Sequence, residues 1–297
     1  MTSLTRGAYA KINLTLDVGA RRPDGFHDIH SIMQTIALHD TISVTRTAHV
    51  PGVSLEVTGD EAGDVPADES NLVHRAAVRL QKVAAARGTI AGNESGLHLL
   101  LHKRIPSRAG LGGGSSDAAA TLLAVNEALG LALTRTRLTE IGAALGADVP
   151  FFLSGGTALV QGMGERVTAL PPLSPPWFLV VIKPHVGVST AAAYAALDAL
   201  PERVPGSATE SWLRGERHPV NDFEQVVFPA YPEVAAAHAL LYQTDGADES
   251  FSPLLCGSGA AIFKRVADAA EARRLFDHVT AADLGKCWVT TTQGAGE

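Results

Sequence analysis

Cysteine is scarce in this chain: Cys256 and Cys287 are the two among 297 residues. Two thiols without metal-ligand spacing argue against a disulfide framework or a zinc site and suit a reducing cytoplasm. Blocks of lysine and arginine are missing as well. With a formal net charge of −7, electrostatic attachment to nucleic acid or an anionic membrane is disfavoured, and the basic residues are left for local tasks. Long hydrophobic runs are also absent. The densest, Trp177 to Ile182, falls far short of the roughly 20 residues that cross a bilayer. The N-terminal residues carry Arg6 and Lys11 but no uninterrupted apolar segment or small-residue cleavage pattern, which argues against a signal peptide. No internal repeat or long low-complexity tract stands out. These absences predict a cytoplasmic globular protein that attaches to neither nucleic acid nor membrane, and they leave open whether it is a monomer or homodimer.

Apolar residues make up 46% of the chain, enough for one large core or two modest ones. The stretch that organises the rest is Ile105 to Ala120, IPSRAGLGGGSSDAAA. A strand-like run, Leu97 to His102, leads into it, and Gly110, Gly112, Gly113 and Gly114 open onto an Ala/Leu-rich helix. Ser115, Ser116 and Asp117 stand where N-caps belong, and Leu122, Val125 and Leu129 form a helical stripe that stops at Gly130. Strand, glycine loop and helix in that order bring backbone amides and a positive helix end close to an oxyanion, so a polyphosphate is the natural guest. Two familiar motifs fail on missing letters. A P-loop needs a lysine after its glycines, and a dinucleotide fingerprint needs a third glycine where Ser115 stands and an acid about 20 positions on. A flexible Gly/Ser linker is the remaining plain alternative, and the flanking strand and helix signals weigh against it.

Three further places carry chemistry-bearing residues. Ala8 to Val18 alternates as a strand with one apolar face, which sets Lys11 and Asn13 on the other, about 7 Å apart. They can serve one site, although spacing alone favours a solvated outer face. Arg21 to His27 is a Pro/Asp/Gly turn that presents Phe26 and His27. By themselves, His27 and His30 are ordinary loop histidines or half a metal site with no third ligand in view. A helix near Thr134 ends at Gly146, and Asp148 follows beside Phe151 and Phe152, as a turn or N-cap residue on local grounds. Gly59 to Ser70 is a solvated connection, and Asn71 caps a helix through Ala86.

The glycine stretch, Pro106 to Ser116, resembles the nucleotide-binding signature of the GHMP kinases (galactose, homoserine, mevalonate and phosphomevalonate kinases), and GLGGGSSDAA is closest to the branch acting on a cytidine diphosphate-linked methylerythritol. Gly146-Ala147-Asp148-Val149-Pro150-Phe151-Phe152 and Arg22-Pro23-Asp24-Gly25-Phe26-His27 resemble two more hallmarks of that branch. The likeness spans nearly the whole chain. It implies an α+β, two-domain GHMP kinase fold, with a ribosomal protein S5 domain 2-like nucleotide-binding domain over residues 1–170, a ferredoxin-like domain over 171–297, and substrate in the cleft. It implies ATP held by Pro106, Ser107, Arg108, Ala109, Gly110, Leu111, Gly112, Gly113, Gly114, Ser115 and Ser116. Mg²⁺ is expected on the phosphates, with Ser115 or Ser116 in reach. Lys11 and Asp148 are expected to be catalytic, Asn13 to position the acceptor, and Phe26, His27 and Tyr194 to hold the cytidine.

The implied reaction moves the γ-phosphoryl group of ATP to the substrate's 2-hydroxyl, in the non-mevalonate route to isoprenoid precursors. Asp148 takes the hydroxyl proton while Lys11 orients it and offsets charge. A carboxylate is a weak base toward an alcohol, and in a loose transition state the proton leaves late, so the role expected of Asp148 is chiefly orientation. Leu255 to Phe263 resembles the third GHMP signature, with Cys256, Ala260 and Ala261 in place of Ser, Pro and Thr. Pro219 to Glu224 resembles the family's N-D-[LF]-E segment and reads as structural. The rival readings are a GHMP kinase for mevalonate, homoserine or a sugar, and a nucleotide-binding regulator without catalysis.

Overall fold

The alternation near the N-terminus produces a strand, β1 (Ser3–Arg21), longer than the alternating stretch itself. The turn after it, closed by hydrogen bonds from Gly25 N to Arg22 O (2.9 Å) and from Arg22 N to Phe26 O (2.8 Å), reverses the chain into a second long strand, β2 (His27–Ala48), which pairs with β1. The computed structural model describes residues 3–48, 50–89, 95–200, 206–216, 219–242 and 251–295. By compactness the chain falls into two units that interleave in sequence. The first takes Met1–Ala10, His39–Ser107 and Gly112–Leu153, and the second takes Lys11–Leu38, Arg108–Leu111 and Ser154–Glu297. The boundary expected at residue 170 lies inside the second, and β1 and β2 give each unit a part of their length.

In the first unit, β3 (Val53–Thr58) runs parallel to β4 (Ser95–His102), and β4 pairs antiparallel with β2 from Thr41↔His102 to Arg46↔Leu97. Strand alternation decides the faces. Leu97, Leu99 and Leu101 enter the core, while His98 and His102 meet Ser54 and Thr58 across the strands on the other face. Against the apolar face pack α1 (Leu72–Ala86) and α2 (Gly113–Ala128), followed by α3 (Arg135–Ala143) and α4 (Val149–Ser154). Asn71 caps α1 as expected, its side chain accepting from Val73 N, and Val73, Ala76, Ala77, Leu80 and Ala84 form the buried stripe. Thr134 caps α3 in the same way.

The start of α2 departs from the expected pattern. Its N-cap is Gly112, left-handed at φ 72°, with no side-chain cap hydrogen bond. Ser115, Ser116 and Asp117 therefore lie within the first turns rather than at the cap. A glycine is what lets the backbone turn into the helix there, and the first-turn amides lack the side-chain oxygen that a serine cap supplies.

In the second unit, β2 continues antiparallel to β5 (Thr157–Gly162), which forms a hairpin with β6 (Arg166–Ala169). A second sheet follows: β7 (Phe178–Pro184), then α5 (Thr190–Asp198), α6 (Ala208–Leu213), α7 (Glu224–Ala230) and α8 (Pro232–Tyr242), then β8 (Leu254–Leu255), β9 (Ile262–Val266), α9 (Ala269–Ala281) and β10 (Gly285–Thr291). Its order is β10-β7-β9-β8, with every neighbour antiparallel. A strand, helices, two strands, a helix and a strand in that arrangement are the ferredoxin-like plan that the resemblance implied.

Candidate active site

The polar face of β1 is not solvated. Lys11 is 4% exposed and Asn13 1%. Further along the strand, the Asp17 carboxylate accepts the amides of Ala208 (3.0 Å) and Thr209 (2.9 Å), and Thr15 meets Thr209 hydroxyl to hydroxyl at 2.7 Å. C-terminal segments of the same unit thus cover the face that spacing alone left open to water.

Lys11 and Asn13 are brought together. The Lys11 ammonium donates to Asn13 Oδ1 at 2.6 Å, and Asn13 Nδ2 donates to Ser31 Oγ at 2.8 Å. Asn13 Oδ1 also accepts the Gly257 amide at 3.1 Å, and the Lys11 amide donates to Leu111 O at 3.0 Å. Ala260 and Ala261 donate their amides to the carbonyls of Arg108 (3.2 Å) and Ala109 (3.0 Å). A buried lysine is therefore flanked by the Arg108–Leu111 part of the glycine loop on one side and the third glycine motif on the other. Two glycines make the approach possible. Gly110, at φ 76°, has no room for a Cβ against the Cys256 carbonyl, and a Cβ on Gly257, at φ 55°, would stand 3.0 Å from Lys11 Nζ.

The departures in the third motif have physical readings. The Ala260 amide is a donor that proline lacks. Cys256, Ala260 and Ala261 are all fully buried. Burial pushes the Cys256 thiol up to about 12, against the pull of Lys11. Ser258 keeps a hydroxyl contact, to Thr190 at 2.9 Å.

The rest of the glycine loop belongs to the first unit, and so does Asp148. Asp148 directly precedes α4, with its carbonyl accepting from Phe152 N at 3.3 Å, and is half-buried. Two residues before it, Gly146 packs on the start of α2: a Cβ there would stand 3.4 Å from Ser115 Oγ. The start of α2 and the aspartate segment, separated in sequence, thus meet. Ser115 is part-exposed, whereas Ser116 is buried and donates to Tyr9 O at 2.6 Å.

Sequence reasoning missed a cluster below this loop. Lys103 donates to Asp40 and, at 2.8 Å, to Asp117 Oδ2, and all three side chains are buried. Asp40 Oδ1 accepts the amides of Arg104 (2.5 Å) and Ile105 (2.8 Å). Burial works against the charge on Lys103, but the two carboxylates outweigh it and its pKa is raised. Burial also raises the Asp117 carboxyl, with Lys103 opposing. Local sequence carries no signal for it: Asp40 lies 63 positions from Lys103, and Lys103 shares its segment with Arg104 and Arg108.

The residues expected to grip a pyrimidine lie in the second unit. Tyr194, on α5, stacks on His27 with ring centroids 4.8 Å apart and planes 25° from parallel, and Phe223 meets Tyr194 edge-on at 4.8 Å. His27 Nε2 lies 2.8 Å from Asp198 Oδ1. With Nε2 as the donor to that carboxylate, Nδ1 is left as an acceptor. The neighbouring Phe26 ring is 60% exposed. Away from all these residues, an open groove of about 660 Å³ runs along α1, lined by Glu69, His74, Arg75, Arg79 and Lys82 among others, and holds none of the expected site residues.

The model for the N-terminal domain of GHMP kinases matches residues 71–156. A relative from Moorella thermoacetica named 4-diphosphocytidyl-2-C-methyl-D-erythritol kinase is 44% identical over 286 residues, covering 93% of this chain and 94% of its own. The chain belongs to that kinase family. A solved structure of a 4-(cytidine 5'-diphospho)-2C-methyl-D-erythritol kinase superposes with a TM-score of 0.74 at 34% identity, covering 98% of this chain and all of that one. A homoserine kinase from Cytophaga hutchinsonii matches with a TM-score of 0.70 at 20% identity, over 100% of this chain and 96% of that one, which is a likeness of fold. The two-domain GHMP architecture is thus that of this family, and among the described residues no helix is long and apolar enough to cross a membrane.

Proposed function

We infer that this protein is an ATP-dependent kinase that phosphorylates the 2-hydroxyl of 4-diphosphocytidyl-2-C-methyl-D-erythritol, yielding the 2-phosphate and ADP in the non-mevalonate route to isoprenoid precursors. Kinship at 44% identity over 93% of the chain carries the activity. The reading of the site rests on the packing of Ser115 against Gly146, which sets the open first turn of α2 beside the segment bearing Asp148.

The chemistry assigned to each residue follows from its surroundings. The glycine loop offers backbone amides to the triphosphate, and the absence of a side-chain cap at Gly112 leaves the first-turn donors for phosphate oxygens. Asp148, half-buried at a segment end, receives or orients the acceptor hydroxyl. Lys11, buried and held by the neutral amide oxygen Asn13 Oδ1, supplies positive charge to the phosphoryl group in transfer. Asn13 fixes Lys11 and, through the Gly257 amide, the third glycine motif.

Magnesium fits the residues present at one hydroxyl better than at the other. Ser115 is part-exposed at the first turn of α2, while the Ser116 hydroxyl is committed to the Tyr9 carbonyl. Bound Mg²⁺ would offset phosphate charge, and Ser115 is the side chain we assign to its surroundings. Phe26, His27 and Tyr194 are assigned to the cytidine, with His27 Nδ1 an acceptor suited to an exocyclic amine. The two thiols, neither in a disulfide, suit a reducing cytoplasm.

The test is ADP release with 4-diphosphocytidyl-2-C-methyl-D-erythritol beside mevalonate, homoserine and galactose. The expected result is turnover with the cytidyl substrate alone. Turnover with only one of the other three would overturn the assignment.

A further inference from the structure

The cluster of Lys103, Asp40 and Asp117 is used by no step above, yet it is built around the two anchors of the glycine loop. Asp40 takes the backbone amides of Arg104 and Ile105, where the chain leaves β4 and enters the loop. Asp117 lies on α2 in the turn where the chain leaves the loop, and Lys103 joins the two carboxylates. The ammonium sits directly under the helix start: a Cβ on Gly113 would be 3.3 Å from Lys103 Nζ and 3.0 Å from Ile105 Cγ2. Among the described residues, Asp117 Oδ1 is the buried side-chain oxygen with no hydrogen-bond partner.

A cluster made only for stability is poorly explained by these features. Two carboxylates share one ammonium, and a buried oxygen goes unpaired, both of which cost free energy that an apolar set of the same volume would not. What the arrangement provides is directional. It ties the entry and exit of the loop to one point, and it does so beneath the amides that face a phosphate.

We propose that Lys103, Asp40 and Asp117 are positioning residues for the ATP phosphates, holding the two ends of the glycine loop at the separation that nucleotide binding requires. This rests on the reading of the loop as the ATP site. Loss of the tie lowers affinity for the nucleotide and leaves both the acceptor and the transfer step nearly as they are, because Lys103 and Asp117 reach neither.

The experiment compares wild type with Asp117→Ala, which frees α2 from Lys103 but leaves a charge-balanced Lys103–Asp40 pair, and with Asp117→Asn, which keeps an acceptor for Lys103. Asp117→Leu, apolar and space-filling, replaces the alanine form should that form not fold. Readouts are the ADP dissociation constant by titration calorimetry, KM for ATP and for the acceptor, kcat at saturating ATP, and Tm. The expected result for the alanine or leucine form is an ADP dissociation constant and ATP KM raised about tenfold or more, the equivalent of 1.4 kcal/mol. Acceptor KM and kcat should stay within about threefold of wild type, and the asparagine form should bind nearly as wild type does. A variant that melts earlier but binds ADP as wild type does would overturn the proposal, as would an equal loss in kcat at saturating ATP. Wild-type protein that fails to bind ADP would instead remove the ATP-site reading on which the proposal stands.

Discussion

One oxygen, Asn13 Oδ1, accepts both the Lys11 ammonium at 2.6 Å and the Gly257 amide at 3.1 Å. That shared acceptor couples the orientation of a buried cation to the backbone of a loop more than two hundred residues away in sequence, within one compact unit. Replacing Asn13 by Leu keeps the volume and removes the acceptor, leaving the amide, the ammonium and the Ser31 hydroxyl short of a partner. The expected cost is about 1–3 kcal/mol of stability, seen in denaturant unfolding, together with a fall in kcat of about 10-fold or more as Lys11 loses its fixed position. Wild-type stability and turnover in Asn13→Leu would show that the shared acceptor holds nothing in place.

Gly110 is required twice over, by its φ of 76° and by the Cys256 carbonyl lying where a Cβ would go. Gly110→Ala should lose at least about 2 kcal/mol, since the left-handed conformation alone costs a residue with a Cβ roughly 1–2 kcal/mol and the collision adds to it. Thermal unfolding measures the loss. An unchanged Tm would mean that the loop and the third motif are not in contact there.

Glu224 gives a signed pH dependence. Burial pushes its carboxyl up to about 7 from an ordinary 4.5, with the Leu255 amide opposing. In the folded chain the proton is held up to that pH, whereas in the unfolded chain it leaves near 4.5, so stability present below about pH 4.5 is lost as pH rises through about 7. Glu224→Gln cannot ionise and still accepts from Leu255. Its stability relative to wild type should therefore climb by on the order of 3 kcal/mol between those two pH values and stay level above them. Unfolding curves of the two proteins that remain parallel from pH 4.5 to 8 would contradict this.

Both thiols should be sluggish in the native protein. Burial pushes Cys256 and Cys287 each up to about 12, so the reactive thiolate is nearly absent at pH 8. Native protein should label slowly with a disulfide reagent, Cys256 slowest because it is fully buried, and both should react at once in denaturant. Rapid modification of Cys256 in the folded state would contradict its placement.

Much of this was legible in the letters, for identifiable reasons. The polar cap at Asn71 and the apolar stripe behind it specify α1 locally, and the short apolar run Leu97 to His102 specifies β4, with Leu97, Leu99 and Leu101 turned inward. Val53-Ser54-Leu55-Glu56-Val57-Thr58 alternates strictly and is β3, a signal present but short. The helix α8 left no readable period because Pro232 to Tyr242 is apolar on nearly every side. At the site, the motifs name Lys11, Asp148 and the glycines, but whether Lys11 faces water or protein depends on segments such as 208–209 and 257 that arrive from far along the chain. The Lys103 cluster stayed hidden for the same reason: Asp40, Lys103 and Asp117 are separated by 63 and 14 positions, and nothing local to any of them announces the others.

We propose that Lys11 and Asp148 serve a single phosphoryl transfer. The most direct test is the single-turnover rate of phosphoryl transfer, with ATP and 4-diphosphocytidyl-2-C-methyl-D-erythritol both saturating, in Lys11→Ala, Asp148→Asn and the double variant. Each single change should slow the step about 10²-fold to 10⁴-fold with the fold intact, and the double variant should be little slower than the worse of the two, as for residues that act as a unit. Wild-type rates in either single variant, or losses that multiply fully in the double, would contradict the account.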